Sequence, residues 1–219
     1  MKIGVLGTGN MADALATQWA RAGHAVFVGG RNEQNARRLA TRIGGGAGHG
    51  NLQAAAGFGE VVLAALPYGA GADVVREHRS ALEGKVLLDC ANPLGAGFRL
   101  LTEGGPSAAC RLAAAAPGVR VVKAFNLCHE DVWRMTPPVF DGRPLTVPIC
   151  GDDGAALSLT RELVRDMGCE PVAGGGLDHA GLLEATAALF IRLWVAEQAD
   201  VRAIVPPQAY ATGTRAGTA

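Results

Sequence analysis

The sequence predicts an α/β domain with a doubly wound, mainly parallel sheet, followed by a small C-terminal extension that ends in a long helix. Three observations carry this prediction. Short, wholly apolar runs alternate with segments of helical periodicity as far as Phe125. A glycine-rich turn, Gly7-Thr8-Gly9, follows the first apolar run and opens a helix. After Phe125 the rhythm loosens and closes on a long apolar segment.

The elements follow in order. Residues 2–6 end at a glycine, as a buried parallel strand does. Met11, Leu15, Trp19 and Ala22 recur at helical spacing, and Gly23 stops that helix. A second strand covers 25–28, and Asn32 caps a polar helix reaching Ile43. The glycine-rich 44–50 is read as a loop with a weak third strand. Strands are expected at 61–66 and 85–89 with a helix at 72–82 between them. A helix at 107–116 and a strand at 119–124 complete the core. Beyond it come a strand at 146–150, a helix at 154–167 ended by Gly168, and a short edge strand at Pro171-Val172. A helix over 177–197 carries Leu182, Leu183, Thr186, Leu189, Phe190, Leu193 and Trp194 on one broad face. The expected division is a core at 1–126, an extension at 127–205 and a loose tail at 206–219.

Lys plus Arg and Asp plus Glu are both 20, so the net charge is zero and nothing suggests a nucleic-acid or acidic-membrane partner. The five cysteines form no CxxC pair, and no Cys/His spacing suggests a metal. Only five residues separate Met1 from Gly7, too few for a secretory apolar region, and no apolar run approaches the roughly 18 residues expected of a spanning helix. A cytoplasmic protein with reduced thiols is expected.

The turn Gly7-Thr8-Gly9-Asn10-Met11-Ala12 has the form GxGxxA, the Rossmann-type dinucleotide fingerprint with Ala in the third place. Gly7 allows the tight turn, and Gly9 lets the backbone approach a pyrophosphate. The helix start offers unpaired N–H groups and a partial positive charge. A site that prefers NAD places Asp or Glu at the end of the second strand. Here the corner reads Gly29-Gly30-Arg31-Asn32, with no carboxylate before Glu33. Arg31 suits a 2′-phosphate, with Thr8 adding a hydroxyl, so NADP(H) is the expected cofactor.

Further segments carry a resemblance. They are Ala65-Leu66-Pro67, Asp89-Cys90-Ala91-Asn92-Pro93-Leu94, Val121-Val122-Lys123-Ala124-Phe125-Asn126, Cys150-Gly151-Asp152-Asp153 and Leu182-Leu183-Glu184. With the glycine turn, they make the chain similar to the family of small NADPH-dependent reductases of coenzyme F420, a deazaflavin. The resemblance implies hydride transfer between NADP(H) and F420 or a related flavin-like ring. Two departures stand out: Gly30 replaces a serine common in the family, and Leu127-Cys128-His129-Glu130 replaces a run of small residues.

In an open α/β sheet, ligands lie beyond the carboxyl ends of the strands. That places Leu66, Pro67, Tyr68, Ala91, Asn92, Pro93, Ala124, Phe125 and Asn126 around a nicotinamide, with Gly7, Thr8, Gly9, Asn10, Met11, Gly30, Arg31 and Asn32 on the phosphates and adenosine. A deazaflavin acceptor asks little acid–base work of the protein. A small imine or carbonyl acceptor needs a proton donor, for which His129 is the first candidate and Cys128 and Tyr68 follow. Lys123 is expected to pair with a carboxylate. A non-catalytic module that senses NADP is the alternative outside enzymes. The apolar face of the last helix is expected to complete the core or to form a homodimer interface.

Overall fold

In the computed structural model residues 1–204 are described; the expected tail lies outside them. β1 (Lys2–Leu6) leads into α1 (Asn10–Arg21), and β2 (Ala25–Gly29) into α2 (Glu33–Ile43). Asn32 caps α2 as expected: its side-chain oxygen accepts from the N–H groups of Gln34 and Asn35 at 2.9 and 3.3 Å. The glycine-rich loop contains the short β3 (Gly48–Gly50), parallel to β2.

Next comes α3 (Leu52–Phe58), which the sequence reading lacks. Its Ala- and Gly-rich body shows almost no apolar periodicity, and the one signal was its cap. Asn51 accepts from the Ala54 N–H at 2.8 Å. β4 (Val61–Ala64) stops earlier than expected. α4 (Tyr68–Glu77) starts earlier, directly after Pro67, and α5 (Arg79–Leu82) follows it. Pro67, at φ −58°, makes a ready helix entrance that the small residues behind it conceal. β5 (Val86–Asp89), α6 (Ala108–Ala115) and β6 (Arg120–Lys123) complete the core, with Ser107 capping α6 at 3.1 Å.

Beyond β6 lie a one-turn helix, α7 (Glu130–Trp133), and a small hairpin of β7 (Val139–Phe140) and β8 (Arg143–Pro144). Neither is long enough to imprint a periodicity. β9 (Thr146–Gly151), α8 (Gly154–Asp166), β10 (Glu170–Gly175) and α9 (Ala180–Ala196) follow. The expected edge strand exists but is longer than Pro171-Val172.

Eight strands form one sheet in the order β10-β9-β6-β5-β4-β1-β2-β3. From β3 to β6 the strands are parallel and follow the usual Rossmann order. β9 runs antiparallel to β6, and β10 parallel to β9. Two apolar layers cover the sheet, and β4 shows the split. Val61 and Leu63 join Trp19, Phe125 and Trp133 on one face, while Val62 and Ala64 join Leu82 and Leu112 on the other.

The last helix departs from expectation in two ways. Residues Leu177–Ala196, with mean hydropathy 1.2, are long and apolar enough by length and composition to cross a membrane. The segment carries Asp178, Glu184 and Arg192, so it contains no unbroken apolar run of that length, but the average tolerates these charges. And the large apolar residues do not complete the core. Ala180, Glu184, Ala187 and Ala188 are buried, whereas Leu182, Leu189, Trp194 and Val195 are exposed.

Candidate active site

The carboxyl ends of β1, β2, β4, β5 and β6 open on one cavity of about 1120 Å³. At one end lies the glycine turn. Gly7 adopts φ +120°, and a Cβ there would sit 2.2 Å from the Ala65 carbonyl oxygen, so any other residue would break this approach of β1 to β4. Gly9 is the N-cap of α1, and no protein atom lies within 4 Å of the place its Cβ would take. The helix start therefore faces open cavity, with the room and the N–H groups that a diphosphate needs. Ala12 is fully buried against the sheet. The acidic residue in the first turn of α1, Asp13, is held by Arg42 (2.9 Å) and Arg134 (3.2 Å), which offsets its charge near the glycine turn.

Gly30, Arg31, Asn32 and Asn35 line the same end, beside Thr8. A side chain at position 30 would meet the Thr8 methyl at 2.9 Å, so Thr8 occupies the space a serine there would need. Among the described residues Arg31 makes no ion pair or side-chain hydrogen bond, and it is exposed. It is available to an anion.

The other end is walled by Leu66, Pro67 and Tyr68 before α4, Ala91 and Asn92 after β5, and Phe125 and Asn126 after β6. Pro93 and Ala124, expected here, are buried behind this wall and do not line it. Phe125 has φ +62°, a strained value for a bulky residue. Its ring is held edge-on by Trp19 and Trp133, with centroids 5.8 and 5.4 Å away. That grip keeps the backbone bent and brings Asn126 opposite Asn92. The Asn92 amide donates to the Asn126 carbonyl at 2.7 Å, and the Asn126 amide donates to Asn92 Oδ1 at 2.9 Å. Asn126 also donates to the Leu183 carbonyl of α9 at 3.1 Å, while its own Oδ1 is buried without a partner among the described residues.

Below this wall Lys123 is fully buried and pairs with two carboxylates, Asp89 and Glu184, both at 2.9 Å. It also donates to the Ala91 carbonyl. Burial works against its charge, but the attraction of Asp89 and Glu184 and their hydrogen bonds outweigh it, and the ammonium is raised above its ordinary value.

His129, Glu130 and Cys128 lie at the mouth. The His129 ring is 67% exposed and sits 3.3 Å from Glu130 and 3.3 Å from Asp131. Glu130 is held by the Asn10 amide at 2.7 Å, which links the mouth to the glycine turn. Burial pushes the Cys128 thiol up to about 11, so it stays protonated at neutral pH.

A third wall comes from α9: Ile191, Trp194 and Val195 face the cavity from the C-terminal side. The sequence reading did not place them there, and it quoted Glu184 only within the matching Leu182-Leu183-Glu184 segment without naming it as the carboxylate expected for Lys123. The available signal was Glu184 itself, an acid between Leu183 and Ala185 in an apolar stretch.

A family model described as "NADP oxidoreductase coenzyme F420-dependent" matches residues 2–93. The F420-dependent NADP reductase of Methanothermobacter marburgensis is 31% identical over 210 residues, covering 88% of this chain and 92% of that protein. The metalloreductase STEAP3 of Rattus norvegicus is 32% identical over 88% of this chain, but the match spans only 38% of that longer protein. A crystal structure assigned as an F420-dependent NADP-reductase from Arthrobacter sp. FB24 superposes with a TM-score of 0.81 at 25% identity, covering 90% of this chain and 95% of that one.

Proposed function

Because the chain belongs to the F420-dependent NADP reductase family and is therefore an NADP(H)-dependent oxidoreductase, we propose that it passes hydride between NADP(H) held in the large cavity and coenzyme F420 or a related deazaflavin or flavin ring. One observation carries the reading. The open helix start at Gly9, the unpaired Arg31 and the strained Phe125-Asn126 corner all face one continuous cavity. The bound nicotinamide would supply the hydride chemistry; the chain's own residues hold and orient it.

The N–H groups at the start of α1 would bind the diphosphate, and Arg31 and Thr8 the 2′-phosphate. Leu66, Pro67 and Tyr68 would support one side of the nicotinamide. Asn92 and Asn126 fix the backbone that borders it, and Ile191, Trp194 and Val195 would shed water from the acceptor side. Proton transfer by His129 is not needed for a ring-to-ring hydride. Its exposure at the mouth supports a bystander's place.

The exposed Leu182 and Leu189 support a homodimer through α9, which light scattering would show as twice the chain mass; a monomer would end that idea. Balanced charge and free cysteines support a cytoplasmic protein without nucleic-acid or membrane partners. The test of function is NADPH oxidation at 340 nm with F420 offered beside FMN, FAD and cyclic imines. Saturable F420 reduction is expected; NADPH binding with no turnover on any acceptor would replace the enzyme with a sensor module.

A further inference from the structure

We propose that Glu184, which lies outside the cavity, is a positioning residue for hydride transfer: it sets the height of the α9 wall over the nicotinamide end of the site. The inference rests on the proposed function, and geometry supports it from three sides. First, Glu184 is fully buried and its carboxylate is completely engaged. One oxygen accepts from Lys123 at 2.9 Å and the Ala109 N–H at 3.4 Å; the other accepts from the Ala108 N–H at 3.0 Å. The charge balance explains the last two bonds. One ammonium faces two carboxylates, and the start of α6 offsets the remaining negative charge.

Second, the same cluster reaches the nicotinamide end. Lys123 donates to the carbonyl of Ala91, which lines the cavity, and Asp89 accepts from the Ala91 N–H at 2.9 Å. One residue before Glu184 in α9, the Leu183 carbonyl accepts from the Asn126 amide. So one helix and one ion cluster fix both loops that border the nicotinamide.

Third, the anchor and the wall lie on one stripe. Positions 184, 188, 191 and 195 recur at the four- and three-residue spacing of a single helix face. Ile191 and Val195 face the cavity, about 10 and 16 Å along the axis from Glu184 at the usual helical rise. The other buried residues of α9 are alanines, Ala180, Ala187 and Ala188, whose side chains make no directional bond. Apart from the Leu183 carbonyl held by Asn126, the Glu184 carboxylate is what fixes the helix against sliding or rolling. Its charge-assisted bonds resist both, because their geometry is fixed.

A structural staple and a positioning residue make different predictions. The variants are Glu184→Gln and the charge-free triple Asp89→Asn/Lys123→Met/Glu184→Met, since replacing a whole buried ion cluster is often neutral for folding while breaking it is not. The expected result for the triple is a melting temperature near that of the parent and an NADP⁺ Kd within about threefold, because the phosphate grip is remote. Single-turnover hydride transfer to F420 should fall roughly tenfold or more, since small misplacements of reacting groups carry such losses. The primary isotope effect with 4-deuterated NADPH should change with it. In the NADP⁺ complex, amide exchange should quicken in 124–129 and α9 but not in 8–13.

Unchanged transfer and isotope effect in a folded triple variant would overturn the assignment, as would a triple variant that does not fold. Kd and rate lost together would also overturn it. If the parent itself is inert with every acceptor, the functional reading fails, and the exchange pattern alone decides on Glu184.

Discussion

The two ends of the cavity are built by different means. At the end proposed for the phosphates the groups on offer are mostly backbone, a turn at Gly7 and the open start of α1 at Gly9, joined by one exposed arginine side chain. At the end proposed for the nicotinamide they are side chains brought from far along the chain. Asn126 meets Asn92 and Leu183, and Lys123 meets Asp89 and Glu184. The first end needs only a local conformation. The second needs the whole domain, including its C-terminal helix, in place, and so it is the end where single substitutions do most damage.

The largest effect is expected at Lys123. Lys123→Met leaves Asp89 and Glu184 buried without their cation, at a cost of about 3–5 kcal/mol of folding stability. Chemical denaturation checks it; a loss below about 1 kcal/mol would mean that water or a proton takes over the cation's place. The sign with pH follows from the raised ammonium. A lysine raised on folding contributes fully below its ordinary value of 10.5 and loses that contribution as pH rises through its folded value. The cluster is therefore intact through neutral pH, and its stabilisation should fade only above about 10.5. A fade near pH 8 would break the contrast between the two ends.

Arg31→Ala should act on binding alone. Removing a paired cation from a phosphate typically loses about 1.5–3 kcal/mol, or roughly tenfold to a hundredfold in affinity. The KM for NADPH should rise by that factor while the KM for NADH and the melting temperature hold. Equal effects on both coenzymes would remove Arg31 from the 2′-phosphate.

The contrast also explains what could be read from the sequence. The strand–turn–helix at 2–21 and the Gly30-Arg31 corner were legible because short-range rules govern them: glycine spacing, helix starts, the missing carboxylate. The sheet's alternation was legible for the same reason, since each buried strand is its own apolar run. The strain at Phe125 was not, because it depends on Trp19, far back in the chain, and on Trp133 across an irregular loop that carries no periodicity. Nor was the inward face of α9. Hydrophobicity pointed to Leu182 and Leu189, yet the sheet takes the alanines and Glu184, since small residues allow close approach and an acid can meet Lys123. Pro93 and Ala124 belong to loops that border the cavity but turn into the protein.

The smallest effect is expected at His129, and it separates acceptor classes. The ring is 67% exposed, shares its surroundings with Glu130 and Asp131, and stands at the mouth of the cavity. When hydride moves between two ring carriers, the acceptor's own atoms take the charge, and the protein's task is alignment. His129→Ala should then leave kcat with F420 within about threefold, since no general acid is removed from such a step. An imine or carbonyl acceptor develops charge on nitrogen or oxygen and gains roughly 10²–10⁴-fold from a placed proton donor. A hundredfold loss in His129→Ala, joined to a pH–rate profile that loses its acid limb, would make the Cys128-His129-Glu130 mouth a catalytic element. The family's small residues at those positions would then mark a change of chemistry, and the nicotinamide end would owe its specificity to an exposed loop as well as to the buried cluster beneath it.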